Sequence, residues 1–143
     1  MSKNNRVISY TNIVLPPQDE YTRLIGFTVM GNLPRKSNQR RIVKVRNRPM
    51  IIKSKNALDY EKSFTLQVPS ECKLGLGDEK HPLALWAHVH YQSNRSDLSV
   101  ELLKDLLEKA GVVTNDRWIK AEFLFASIDR DTPRVELVIY SIN

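Results

Sequence analysis

Four of the five carboxylates in the stretch SDLSVELLKDLLEKAGVVTNDRWIK, residues 96–120, are Asp97, Glu101, Asp105 and Asp116, with Asn115 beside the last. Carboxylates at a helix entrance and at the turn beyond it can hold a divalent metal. Mg²⁺ takes one or two carboxylates and fills its other positions with water and substrate phosphate oxygens. Such an ion polarises a phosphodiester and supplies hydroxide near neutral pH, and a second ion would stabilise the leaving oxygen. On a helix with ~100° per residue, Glu101 and Asp105 are i,i+4 neighbours, and Asp97 lies one turn earlier. The same acids also have purely structural uses. Asp97 could cap the helix and suit its dipole, Glu101 and Asp105 could pair with Lys104 or Lys109, and Asp116 could be a turn residue.

The opposite charge lies elsewhere. Residues 31–62 hold ten Lys or Arg against Asp59 and Glu61, a net +8, while the rest of the chain carries twelve cations against fourteen carboxylates, a net −2. One basic segment on a mildly acidic body is the electrostatic pattern of a phosphate-backbone binder. A solvated basic hairpin with no partner would look the same.

Other reactive groups are sparse. Cys72 is the only cysteine, which excludes an internal disulfide, and nothing near it marks an activated thiol. His88 and His90 have the i,i+2 spacing that places two zinc ligands on one strand face, but no cysteine or third histidine completes a zinc pattern. They read as a partly exposed strand face. Trp118 reads as a core residue, with base stacking as its alternative.

These groups need elements to position them. The 143 residues, 41% hydrophobic and 27% charged, suit one domain with a real core. No apolar run nears the ~20 residues of a membrane span, and the opening MSKNNRVISYTN lacks a signal-peptide core. Residues 1–23, polar and carrying Pro16 and Pro17, read as an N-terminal extension, with the domain over 24–143. LIGFTVM (24–30) suits a strand, and GNLPRKSNQRR (31–41) is loop chemistry crowded with cations. IVKV and MIIK flank Arg46-Asn47-Arg48-Pro49 as a basic hairpin. Ser54 caps a helix to about Gln67, with Leu58, Tyr60 and Phe64 buried, and Pro69 ends it. Residues 69–82 read as a surface loop, and LALWAHVHY (83–91) alternates as a strand. The leucine stripe of residues 98–110 is helical, closed by Gly111. Strands near 118–127 and 134–141 follow, joined by DRDTP as a hairpin turn. The sum is an α+β single domain: a mixed or antiparallel sheet of about four strands packed with two helices.

With these motifs in order, the chain resembles the RusA family of crossover-junction endodeoxyribonucleases, the Holliday junction resolvases of phages and prophages. The likeness covers roughly residues 25–141. It is carried by Asp97-Leu98-Ser99 leading to Glu101, by Asp105, by Ala110-Gly111-Val112, by Asn115-Asp116 and Ile119, and by Pro133-Arg134-Val135-Glu136-Leu137. Pro34-Arg35-Lys36-Ser37-Asn38, and Ile51-Ile52-Lys53-Ser54 leading to Tyr60-Glu61, resemble the family's N-terminal half. The family commonly has two aspartates, two apart, before its helix, where this chain has only Asp97. Either Arg95 replaces the first, or Asp97 is the first and Ser99 stands at the second. We prefer the second register, because members of the family with Asp-Leu-Ser often carry a glutamate where Glu101 falls, which would return a carboxylate from the next turn. Of the later acidic pair, Asp116 remains and Asn115 replaces its neighbour.

The resemblance implies an α+β RusA-like nuclease domain acting as a homodimer on four-way or related branched DNA, in the cytoplasm of a bacterium or phage-infected host, without a membrane. It implies Mg²⁺ as cofactor, with Mn²⁺ as substitute. Asp97, Glu101 and Asp116 would be catalytic metal ligands, with Asp105 a weaker candidate. Lys36, Asn38, Arg40, Arg41 and Lys55 would contact DNA phosphates. A relative that kept DNA binding and lost cleavage is the alternative, given the thinned acid set.

Overall fold

A computed structural model describes residues 8–9, 13–34, 40–94 and 100–143 of the chain, with only the backbone of residues 8, 9 and 40. Its axis is a strand in which every residue is buried, Leu83–Tyr91. Burial on both faces is what a mostly apolar run at the centre of a sheet achieves. In chain order the strands are β1 (Ile8–Ser9), β2 (Tyr21–Met30), β3 (Arg40–Val45), β4 (Arg48–Lys53), β5 (Leu83–Tyr91), β6 (Ile119–Ile128) and β7 (Arg134–Ile142), with helices α1 (Lys55–Gln67) and α2 (Val100–Lys109). The main sheet has the order β1-β6-β5-β7-β2, and β3 and β4 form a separate two-stranded ribbon. Among the described strands only β5 and β6 pair in parallel. A parallel pair needs a crossover, and α2 supplies it. The α+β architecture, a mixed sheet with two helices, is therefore as expected.

Both helices lie on one sheet face. Leu83, Leu85, Ala87 and Val89 of β5 join Val135, Leu137 and Ile139 of β7 in a core closed by Phe64 of α1 and Leu102, Leu103, Leu106 and Leu107 of α2. The leucine stripe makes α2 strongly amphipathic, so burial rather than propensity holds it. Gly111, at φ +81°, ends α2 in the left-handed conformation that favours glycine. Ser54 begins α1, its hydroxyl accepting from the Ala57 N–H at 3.1 Å.

The other sheet face is also apolar. Ala84, Trp86 and Tyr140 pack there with Tyr21, Phe123, Phe125 and Val138. Part of the N-terminal extension belongs to this face: the Trp86 indole N–H donates to the Val14 carbonyl at 3.0 Å, and Pro16 is buried. A buried indole needs such an acceptor.

Several local readings change. Asp129–Pro133 does not close a hairpin: β6 already pairs with β5 and β1, so β7 passes to the far side of β5. Turn chemistry is the same whether the next strand is a neighbour or skips one. Leu58 is 47% exposed, because Ala57, Tyr60 and Phe64 form the buried side of α1. Trp118 is half-buried rather than in the core, with the Arg117 guanidinium 4.8 Å and the Lys120 ammonium 5.9 Å from its ring. Segment 69–82 is tied down as well as looped, since the Gly75 and Leu76 N–H groups donate to the Gly111 and Val112 carbonyls, the Thr114 N–H donates to the Leu76 carbonyl, and Cys72 is buried. Among the described residues no helix is long and apolar enough to cross a membrane.

Candidate functional site

The basic segment forms the β3–β4 ribbon, whose register pairs Ile42 with Ile51 and Val43 with Met50. Arg46 (φ 51°) and Asn47 (φ 64°) make its turn. Positive φ at both central positions is the type I′ hairpin geometry that matches strand twist. The ribbon packs on itself and on little else. Ile42 and Ile51 are 72% and 67% exposed, and Met50 and Val45 are also exposed. Arg41, Lys44, Arg46 and Arg48 are exposed beside them, and none of the four is ion-paired among the described residues.

The ribbon is rooted by a ring of alternating charge. Lys53, the last residue of β4, lies 3.2 Å from Glu61 of α1 and 3.3 Å from Asp105 of α2. Lys109 closes the ring at 3.1 Å from Glu61 and 3.3 Å from Asp105. Burial pushes the Glu61 carboxyl up, but hydrogen bonds from Lys109 and Lys53 outweigh it and hold the group below its ordinary value. Asp105 is thereby engaged by two ammonium groups.

The remaining expected ligands are spread out. Glu101 is exposed in the first turn of α2. Asp116 opens a 3₁₀ turn (Asp116–Trp118) beyond the other end of that helix, where its backbone N–H donates to Glu108 Oε1 at 2.9 Å. Glu101 and Glu108 are seven residues apart, about 10 Å of helix at 1.5 Å per residue. The Asn115 side chain accepts from the Arg117 N–H, which makes it a cap. Among the described residues, Glu101, Asp105 and Asp116 are not gathered into one group of three ligand atoms. Asp97, Lys36 and Asn38 lie outside the described residues, as does the Arg40 side chain. Arg41 is on the ribbon, and Lys55 is exposed as the first residue of α1, directly after it.

A different group does converge. His88 and His90 are 6% and 4% exposed, not the partly exposed face expected, because β6 and β7 flank them on both sides. Their ring centroids are 3.9 Å apart. His88 Nε2 is 2.6 Å from Ser127 Oγ, and His90 Nε2 is 3.1 Å from Glu136 Oε1. Burial, and then the neighbouring His90, push His88 down to about 4; burial and Arg134 lower His90 too. Burial thus disfavours the charged form of both rings. Glu136 arrives from β7, 46 positions after His90. No local spacing could have named it; only the strand order brings it in.

The fold and these groups define an α+β protein with a projecting cationic ribbon, an acidic helix rim and a buried imidazole pair on the opposite sheet face. Compared with models of known protein families and with curated proteins, the chain matches none.

Proposed function

We propose that the chain binds branched DNA through the β3–β4 ribbon and acts as a RusA-like, metal-dependent junction endonuclease. The observation that supports this most is the ribbon: four exposed cations, without an ion pair among the described residues, interleaved with exposed aliphatic residues and standing off the body. A groove of duplex DNA admits a two-stranded ribbon. Phosphate contacts supply affinity, and junction shape rather than base sequence supplies selectivity. Lys55 continues the cationic surface at the ribbon's root, and Lys36, Asn38, Arg40 and Arg41 belong to the same basic segment. Two symmetric nicks require two sites related by a two-fold axis, hence a homodimer.

Cleavage would depend on Asp97, Glu101 and Asp116, with Mg²⁺ or Mn²⁺ supplying the charge that activates water. The separation of Glu101 from Asp116 favours a second reading, a junction binder that does not cut. A synthetic four-way junction incubated with the protein, with and without Mn²⁺, separates the two. Metal-dependent paired nicks that disappear in Asp97→Asn and Asp116→Asn support the endonuclease. Tight binding with no nicks at any metal concentration supports the binder. Equal affinity for the junction and for a linear duplex would refute both.

A further inference from the structure

We propose that His88, His90 and Glu136 form a binding site for a transition-metal ion of the Zn²⁺ class, on the sheet face turned away from both helices. This is independent of the DNA reading, and its donors are different residues from the α2 acids.

The geometry follows from strand register. Residues i and i+2 of β5 share a face, so both imidazoles project together. Glu136 is the direct β7 neighbour of His88, and Ser127 the β6 neighbour of His90. One ligand atom from each of His88, His90 and Glu136 lies within 4.8 Å of the others. Ligand atoms around a tetrahedral Zn²⁺, at ~2.0–2.1 Å from the ion, stand about 3.3 Å apart. The gap is small enough for side-chain torsions to close without moving the strands.

Three further observations point to an ion. His90 Nδ1 is buried and has no hydrogen-bond partner among the described residues. Leaving such a group unsatisfied is costly, and a metal bond there would remove that cost. Ser127 Oγ accepts from the His88 Nε2–H in the tautomer that frees Nδ1 as a ligand, which is the orienting contact that metal-bound imidazoles usually make. The local charge also suits a dication. Arg134 is taken up by Asp129 at 2.8 Å and by Thr132, and stands 3.5 Å from Glu136. Two carboxylates against one guanidinium leave the cluster at −1. Two imidazole nitrogens and one carboxylate oxygen select Zn²⁺, Co²⁺ or similar ions over Mg²⁺ and Ca²⁺, which prefer oxygen. The fourth position would be open to water or another donor.

The test uses the full chain, stripped with a chelator and titrated with Co²⁺ while its d–d absorption is followed; Zn²⁺ is then added as competitor. One equivalent bound per chain, displaced by Zn²⁺ and not by millimolar Mg²⁺, is the expected result, together with a higher melting temperature in Zn²⁺. His90→Ala should abolish the absorption. Glu136→Gln, a conservative change at a half-buried position, should weaken binding by roughly tenfold or more while the fold survives. His81→Ala, which removes the exposed His81–Asp78 pair, should change nothing. No Co²⁺ binding by the wild type would overturn the proposal. So would unchanged binding in Glu136→Gln, or loss of binding in His81→Ala.

Discussion

Replacing Arg41, Lys44, Arg46 and Arg48 together by Gln tests whether the ribbon is the DNA-binding surface. All four side chains are exposed and free of ion pairs among the described residues, so the change should leave the body of the fold intact. If each cation neutralises one phosphate, the log–log dependence of affinity on salt should flatten by roughly 0.9 per residue, about 3.6 in all. Between 50 and 200 mM salt, a factor of four, that slope corresponds to roughly 150-fold in affinity. Wild-type protein should therefore lose about two decades more affinity over this range than the variant does. Fluorescence anisotropy with a labelled four-way junction at five or six salt concentrations measures both slopes. A thermal melt of the variant matching the wild type shows that the fold survives. An unchanged slope with an intact fold would refute the reasoning and move the DNA surface off the ribbon. A flattening near one would mean that only a single ribbon cation touches phosphate.

Other perturbations address the ring, the sheet end and the core. Asp105→Asn should cost about 1 kcal/mol or less, since its two ion pairs are partly exposed, and should leave metal-dependent cleavage unchanged; loss of cleavage in a junction assay would return Asp105 to the metal set. Hydrogen bonds from the Thr132 hydroxyl and then Arg134 hold Asp129 down at about 2, against an ordinary value of 3.8. Its contribution, about 2 kcal/mol, is complete above pH 4 and is lost as pH falls through 2. Urea titrations from pH 5 to pH 2 should show Asp129→Asn lacking that part of the acid sensitivity, and identical pH slopes would contradict the assignment. Leu103→Ala, at a fully buried site facing the sheet, should cost about 2–5 kcal/mol in urea unfolding; a loss under 1 kcal/mol would mean that α2 is loosely seated.

Much of the fold was legible because local chemistry decides it. Ser54 and Gly111 mark helix ends by hydrogen-bond and φ requirements that act within a few residues. The alternation of residues 83–91 and the leucine stripe after it gave a strand and a helix, although both faces of the strand, not one, are buried. The basic hairpin was placed correctly, although its turn is Arg46-Asn47 alone and the expected turn residues Arg48 and Pro49 already belong to β4. Strand order was not legible. Asp129–Pro133 carries good turn chemistry, yet β7 lands beyond β5, because the free edge of a central strand competes for partners across the whole chain.

The same division explains the candidate sites. Helical periodicity put Glu101 and Asp105 on one face, which is correct as geometry. It could not show that Lys53, fifty-two positions earlier, takes Asp105 as an ion-pair partner. Nor could it show that Asp116 sits beside Glu108, two turns from Glu101. For the histidines the error ran the other way. An i,i+2 pair with no third ligand nearby in sequence looked inert, and an isolated strand would have left it so. Its third ligand comes from β7, paired in register with His88. A crossover that skips a strand is therefore what assembles this group, and the misread turn at Asp129–Pro133 and the missed ligand Glu136 are one error seen twice.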